Sequence, residues 1–270
     1  MSSSPVFVAF DVETTGLVAG VDSIIELAAV SFQGERALDT FATLVDPGIP
    51  IPATATAING ITDGMVRGAP AIAETLPGFL SFLSGGTPVA HNAMFDVAFV
   101  SVGIASRGLP PPAGQVLDTR SLARRAFPRR TSYSLVNLSR DLALETDGAH
   151  RAMADAQACR RLFHRCLSVL FPGTEPSLAE LVALNGAPLD FADNSPRMPR
   201  IAALLREVMA VQGEAQITYR SSRGELTERR IRPLSFDATG GRIGVVAFCL
   251  LRNEERTFLL DSIMDARRAQ

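Results

Sequence analysis

The sequence predicts an α/β domain followed by a smaller β-rich domain. Over residues 1–170, short apolar runs typical of buried strands alternate with segments of helical spacing, which is the pattern of an α/β fold. Residues 172–200 hold five prolines, and arginine-rich segments with strand-like alternation follow from about Ile201. We therefore place the first domain at 1–170, a proline-rich linker at 171–200 and the β-rich domain at 201–270.

The first predicted strand is an apolar run, Val6–Phe10, between Pro5 and the Thr-Thr-Gly sequence at 14–16. Two further strands follow with Gly34 near the turn between them, so the sheet is expected to begin as an antiparallel meander. Asp118 is predicted to be the N-cap residue of a later helix. The other predicted elements are strands Ile24–Phe32, Phe41–Val45 and Pro88–His91 and helices Ala71–Leu83, Ala93–Ser106, Thr119–Ala126, Leu135–Leu144 and Arg151–Leu170.

The remainder of the chain predicts one helix within the linker and a helix followed by strands after it. The predicted elements are a short helix at Leu178–Leu184, a helix beginning near Ile201, and strands Gln216–Tyr219, Glu228–Ile231, Ile243–Leu250 and Arg256–Leu260. The charge of this region differs from that of the whole chain. Residues 197–270 carry 13 arginines and 9 acids, a net charge of +4, whereas the whole chain carries −2. This balance permits a polyanionic partner without requiring one.

Composition and cysteine usage exclude several classes of protein. The chain is 47% hydrophobic and 20% charged, so it is able to form a buried core and is not disordered in bulk. Cys159, Cys166 and Cys249 lack the spacing of a zinc site and are too few for a disulfide framework. The first residues lack a basic signal-peptide region, and the apolar run Ile243–Leu251 is too short to span a bilayer. We therefore expect a cytoplasmic protein with no membrane association.

Two acids at the end of the first strand, Asp11 and Glu13, give the clearest indication of chemistry. Side chains at positions i and i+2 of a strand point to the same face, so the two carboxylates are expected to lie side by side. Burial makes such unpaired charges costly. Because oxygen ligands favour hard cations, the pair predicts binding of Mg²⁺ or Mn²⁺.

Three motifs occur in order along the first domain: Asp-x-Glu-Thr-Thr-Gly at 11–16, His-Asn-Ala-x-Phe-Asp at 91–96, and His-Arg-Ala-x-x-Asp-Ala at 150–156. Together they resemble the DEDDh group of 3′–5′ exonucleases, the family of the epsilon subunit of bacterial DNA polymerase. The resemblance covers roughly residues 5–168. It implies an RNase H-like exonuclease fold, in which a mixed central sheet is flanked by helices.

The resemblance also implies a site that binds two divalent cations about 4 Å apart. Its four ligands would be Asp11, which would bridge the two ions, with Glu13, Asp96 and Asp155. His150 would be the general base, since imidazole titrates near neutral pH. The residues expected near the terminal nucleotide are Thr14, Thr15, Gly16, Ile61, Asn92 and Phe95.

Other residues of these motifs have plainer interpretations. His91 is expected to bond neighbouring backbone groups and to take no part in catalysis. Asn59 stands where many relatives have a histidine, which puts a nucleotide contact at this position in doubt. A basic run after Asp118 is typical of a solvated helix face, although it would also suit contact with a nucleic-acid backbone. The run consists of Arg120, Arg124, Arg125, Arg129 and Arg130.

Residues 216–263 resemble a WYL domain, a small Sm-like β-barrel. The matching features are Ile-Thr-Tyr at 217–219, Gly224, Arg-Arg-Ile-Arg-Pro at 229–233, Arg-Thr-Phe at 256–258 and Asp-Ser-Ile at 261–263. The name-giving Trp-Tyr-Leu is absent, and Ser262 replaces a usual arginine. These departures leave open both ligand binding and a packing role, in which the domain would contact a protein partner or form a homodimer.

We therefore predict a metal-dependent 3′–5′ exonuclease acting on single-stranded or frayed DNA in repair or proofreading. The same chemistry on RNA is an alternative, because nothing in the sequence recognises the 2′-hydroxyl. An inactive nucleic-acid-binding module is a further alternative, but such a module predicts loss of a metal ligand, and all four acids are present.

Overall fold

The computed structural model describes residues 5–144, 150–186, 188–192, 197–237 and 243–269. The chain divides into two compact units. One consists of Met1–Thr15 and Ile24–Asp193, and the other of Gly16–Ser23 and Asn194–Gln270. The short segment Gly16–Ser23 therefore belongs to the unit formed by the C-terminal residues.

The first unit is built on a five-stranded mixed sheet with strand order β3-β2-β1-β4-β5. Strands β1 to β3 pair in antiparallel fashion, whereas β4 and β5 continue the sheet in parallel. The strands are β1 (Val6–Thr14), β2 (Ile24–Gln33), β3 (Arg36–Leu44), β4 (Thr87–Ala90) and β5 (Leu117–Asp118). This order confirms the predicted mixed sheet with an initial meander.

Helices cover both faces of this sheet. Phe7 contacts Phe163 of the longest helix, and Phe10 contacts Phe79 of an earlier helix. Because alternate residues of a strand point to opposite faces, these two contacts lie on opposite sides of the sheet. The helices are α1 (Ala53–Asn59), α2 (Asp63–Val66), α3 (Ile72–Leu83), α4 (Met94–Arg107), α5 (Thr119–Ala126), α6 (Leu135–Asp141), α7 (Ala152–Leu170) and α8 (Leu178–Asn185).

Several boundaries differ from those predicted. The α1 and α2 helices were not predicted, because the prolines at 47, 50 and 52 indicate an irregular segment and four- to seven-residue helices show little periodicity. The α8 helix forms where a short helix was predicted. It packs against the first unit and is not an exposed linker segment, because Leu181 is fully buried in that unit's core. Asp118 is the N-cap of α5, as predicted, and its carboxylate accepts a hydrogen bond from the Arg120 amide.

The second unit contains α9 (Arg197–Ala210) and an antiparallel sheet with strand order β10-β6-β7-β8-β9. Its strands are β6 (Ala215–Arg220), β7 (Leu226–Asp237), β8 (Gly244–Cys249), β9 (Glu254–Leu259) and β10 (Ile263–Arg268). In the part of the chain that the structure describes, the outer strands β9 and β10 do not pair with each other. The sheet is open there, and closure into an Sm-like barrel stays a prediction.

The described helices are too short or too polar to cross a bilayer.

Candidate active site

The end of β1 brings together the acids predicted to be metal ligands. Carboxylate oxygens of Asp11, Glu13 and Asp155 lie within 4.8 Å of one another, and all three residues are half-buried. The first two project from β1, as their spacing predicts, and Asp155 lies in the first turn of α7. Asp155 therefore lies 142 or more positions after the two acids of β1 in the sequence. It meets them because α7 packs across β1 and β2.

Asp96 lies next to this cluster but is more deeply buried, with 3% of its surface exposed. It occupies the first turn of α4, and its Oδ1 accepts a hydrogen bond of 3.1 Å from the Val12 amide. This bond fixes the carboxylate beside the backbone of β1, between the two acids of that strand. All four predicted ligands thus converge on one end of the strand.

The acids repel one another when all are ionised. Burial, followed by the charges of Asp96 and Asp155, raises the pKa of Asp11 well above its ordinary value. Burial and the charge of Asp155 raise the pKa of Glu13 to about 7. Burial likewise raises the pKa of Asp96 and that of Asp155. A cluster of this kind is destabilised at neutral pH unless a cation neutralises it.

The donor set fits hard divalent cations. Oxygen-only ligands at half-buried positions suit Mg²⁺ or Mn²⁺, and a bound cation would relieve the repulsion that raises these pKa values. Asp11, Glu13 and Asp155 would provide three carboxylate ligands, and Asp96 would provide the fourth.

His150 lies beside Asp155, two residues before α7 begins. Its side chain is exposed, and its backbone has φ = 64°, a left-handed conformation that is uncommon outside glycine. Its backbone N–H donates a hydrogen bond to the Asp155 carboxylate, and its charge opposes the rise in the pKa of that acid. The histidine is therefore held close to the acidic cluster while its imidazole is open to solvent.

Glu26 is a residue of this site that the sequence analysis missed. It lies on β2 directly opposite Glu13, with only 6% of its surface exposed. Its carboxylate accepts bonds from Arg151 Nε at 3.1 Å and Nη2 at 2.6 Å, and from the Ala152 amide at 2.9 Å. A single acid within the apolar strand sequence Ile-Ile-Glu-Leu-Ala was the available signal. Glu26 thus joins β2 to the first turn of α7, which carries Asp155.

We expect Arg151→Met to destabilise the protein by about 2–3 kcal/mol, because it leaves the Glu26 carboxylate buried without a cation. The loss should be smaller than for a fully buried pair, since 43% of the Arg151 side chain is exposed. The matched control is Arg140→Met, which breaks an ion pair whose side chains are 72% and 41% exposed and should cost less than about 1 kcal/mol. Urea unfolding measures both, and equal losses would contradict the role of Glu26.

The candidate substrate residues at the end of β1 are mostly buried. Thr14 and Thr15 are 8% and 4% exposed. Asn59 supports this strand end, because its amide hydrogen-bonds the Glu13 side chain and its Nδ2 lies 3.5 Å from the Thr14 carbonyl oxygen. Ile61 has no exposed surface and packs in a separate apolar cluster, so its predicted nucleotide contact stays a prediction.

The second motif is held by hydrogen bonds around the start of α4. Asn92 has a left-handed backbone, with φ = 60°. Its backbone N–H donates a hydrogen bond to Asp118 Oδ1, and its side-chain oxygen accepts one from Arg120, both at 2.9 Å. His91 Nε2 donates to the Tyr133 carbonyl at 2.9 Å, a bond to a backbone group of the kind predicted for it. Phe95 is half-buried, with its ring centroid 4.9 Å from that of Phe99.

Besides Arg120, which bonds Asn92, three arginines of the basic run have structural partners. Arg125 donates to the Leu184 carbonyl, Arg130 pairs with Asp141 at 3.0 Å, and Arg124 lies over the Tyr133 ring. These contacts favour a structural role for the basic run, as a helix face, over a role in binding a nucleic-acid backbone.

Both parts of the chain are similar to known protein families. A family model described as an exonuclease matches residues 8–163, more than half of the chain, and a WYL domain model matches residues 200–268. The DNA polymerase III subunit epsilon of Treponema pallidum is 41% identical over 159 residues, which cover 58% of this chain and 74% of that protein.

Two other similarities extend the comparison. A PolC-type DNA polymerase III of Caldanaerobacter subterraneus subsp. tengcongensis is 34% identical over 218 residues, covering 80% of this chain. The chain spans only 15% of that polymerase's length. The solved structure of Exonuclease X in complex with 5′ overhanging duplex DNA is similar with a TM-score of 0.52 and 29% identity, covering 67% of this chain and 99% of the other.

Proposed function

We propose that this chain, which belongs to the exonuclease family, is a 3′–5′ exonuclease that hydrolyses single-stranded or frayed DNA ends and releases nucleoside monophosphates. The observation that carries this proposal is the convergence of Asp11, Glu13 and Asp155 within 4.8 Å, with Asp96 beside them. An inactive binding module would have no reason to keep four mutually repelling acids. The preference for DNA is supported by the named relatives, which are DNA polymerases and an exonuclease bound to DNA.

Bound divalent cations would neutralise the phosphate's charge, assist ionisation of the attacking water and stabilise the departing 3′ oxygen. The chain's own residues orient the reactants. Asp11, Glu13, Asp96 and Asp155 would hold the cations at one end of β1. Thr14 and Thr15 would position the terminal nucleotide beside them.

His150 would accept the proton of the attacking water. Its exposed imidazole next to Asp155 is open to such a water. The proton would then pass to solvent. Removing a terminal nucleotide in this way would serve DNA repair or proofreading. A protein partner or a second copy of the chain would bind through the C-terminal domain.

The test uses purified protein with Mg²⁺ or Mn²⁺ and matched strands labelled at the 3′ or 5′ end. We expect a 3′-labelled DNA strand to release labelled mononucleotide from the first time point, and a 5′-labelled strand to shorten progressively. A chelator should stop both reactions. Faster release from RNA than from DNA would overturn the substrate preference, and no release from either strand would overturn the enzymatic proposal.

A further inference from the structure

The segment that follows the catalytic strand belongs to the C-terminal unit. The chain enters that unit at Gly16, directly after Thr15, and leaves it at Ser23 before β2 begins at Ile24. Thr14 and Ile24 are paired at the base of this β1–β2 hairpin. The loop that connects the two strands is therefore built into the second unit, while both strand ends remain in the first.

Apolar packing holds this loop. Val18 is 1% exposed and lies in one core cluster with Ile201, Leu205 and Val208 of α9. Leu17 and Val21 pack against the same cluster. Three of the loop's eight residues thus contribute to the hydrophobic core of the second unit, which a solvated hairpin loop would not do.

An ion pair fixes the loop as well. The Asp22 side chain is 6% exposed and accepts bonds from Arg206 Nη1 and Nη2, each at 3.0 Å. Its Oδ2 also accepts the Val18 amide at 2.8 Å. Two parallel bonds from a guanidinium orient a carboxylate more strictly than a single contact does. Asp22 is consequently held both to α9 and to the loop's own backbone.

The Asp22 carboxylate also leaves no room for a side chain at Gly16, the residue that follows Thr15. A Cβ added to Gly16 would meet the Asp22 carboxyl atoms at 2.6 Å, so Asp22 lies directly over the Gly16 backbone. Displacement of Asp22 would therefore remove one restraint on the backbone that continues from Thr14 and Thr15. These two residues are the ones proposed to position the terminal nucleotide.

We propose that Asp22 and Arg206 are positioning residues of the exonuclease: through them the C-terminal unit holds the loop that fixes Thr14 and Thr15 at the 3′ nucleotide. The proposal rests on the exonuclease function proposed above. The C-terminal unit is then a structural part of the nuclease, and a partner that displaced α9 would alter substrate binding without touching the acids.

The test compares Arg206→Met with Arg200→Met in the full-length protein. Both arginines lie on α9 and pair with an acid of the second unit, but the Arg200–Asp265 pair is exposed, at 71% and 57%. We expect Arg206→Met to raise KM for a 3′ DNA end about tenfold, with kcat changed much less, because the loop positions substrate rather than cations. Arg200→Met should leave both constants unchanged, and Arg206→Lys, which keeps the charge but loses the fork, should lie between.

Hydrogen exchange by mass spectrometry gives a readout that does not depend on activity. Arg206→Met should speed exchange in Gly16–Ser23 and also in Asp11–Thr15, while Arg200→Met should change neither peptide. Faster exchange confined to Gly16–Ser23 with an unchanged KM would overturn the proposal, as would no change in either peptide. If the wild-type protein releases no nucleotide, the proposed function fails, whereas the exchange comparison still decides whether Arg206 holds the strand end.

Discussion

Asp11→Asn is expected to abolish metal-dependent nucleotide release while making the metal-free protein more stable. Asp11 is the acid whose pKa is raised by burial and by the largest set of neighbouring carboxylates: Asp96, Asp155, Glu13 and Glu26. Asparagine keeps the shape but removes a charge that would help to hold the cations. We expect activity to fall by at least about 10²- to 10³-fold, the loss caused by removing one group that stabilises transition-state charge.

The gain in stability follows from the same repulsion. The folded protein holds a proton on Glu13 with a pKa of about 7, compared with an ordinary value of 4.5. Because the folded state binds this proton more tightly than the unfolded chain does, the metal-free protein loses stability as the pH rises between these values. Removing the Asp11 charge lessens the repulsion, so the advantage of Asp11→Asn should grow as the pH rises.

Thermal unfolding with and without Mn²⁺ checks this prediction. At pH 8, a hundredfold excess of the cation over its Kd should stabilise the wild-type protein by about 2.7 kcal/mol and so raise its Tm. The Tm of Asp11→Asn should rise much less. Asp141→Asn is the control, since Asp141 pairs with Arg130 outside the cluster. Equal responses of all three proteins to Mn²⁺ would show that the cation binds elsewhere.

The acids and the histidine could be predicted because each lies in a short motif at the end of a strand or the start of a helix. The two-residue spacing of Asp11 and Glu13 places them on one face of β1 whatever the rest of the fold does. Glu26 could not be predicted with the same ease. Its partner Arg151 is 125 residues away, and only the packing of α7 on β2 reveals that the two side chains meet.

The hairpin loop after β1 shows a second limit of the sequence. Residues 16–23 contain two glycines and an aspartate, which predict a turn. Burial of Val18 depends on α9, which begins more than 170 residues later, and no local pattern encodes a contact of that range. Strand alternation predicted most of the second unit's sheet, yet β10 was missed because Met-Asp-Ala-Arg-Arg after Ile263 lacks an apolar period.

His150→Asn is expected to lower kcat by about 10²- to 10⁴-fold, the usual contribution of a general base, while cation binding and KM change little. Asparagine is the suitable replacement because it tolerates the left-handed backbone that His150 adopts at φ = 64°. The backbone N–H that bonds Asp155 is then kept, and only the imidazole is lost. An effect on rate can therefore be assigned to proton transfer and not to a displaced Asp155.

The dependence of kcat on pH separates this role from a structural one. If His150 is the base, kcat of the wild-type protein and kcat of His150→Asn should depend differently on pH. Added imidazole should restore part of the variant's activity, since the exposed side chain leaves a site that a small base could reach. His164→Asn is the control, because His164 lies on α7 against Phe32 and Phe163 and should leave the pH profile unaltered. A variant at His150 that keeps the wild-type pH profile would assign proton removal to another group.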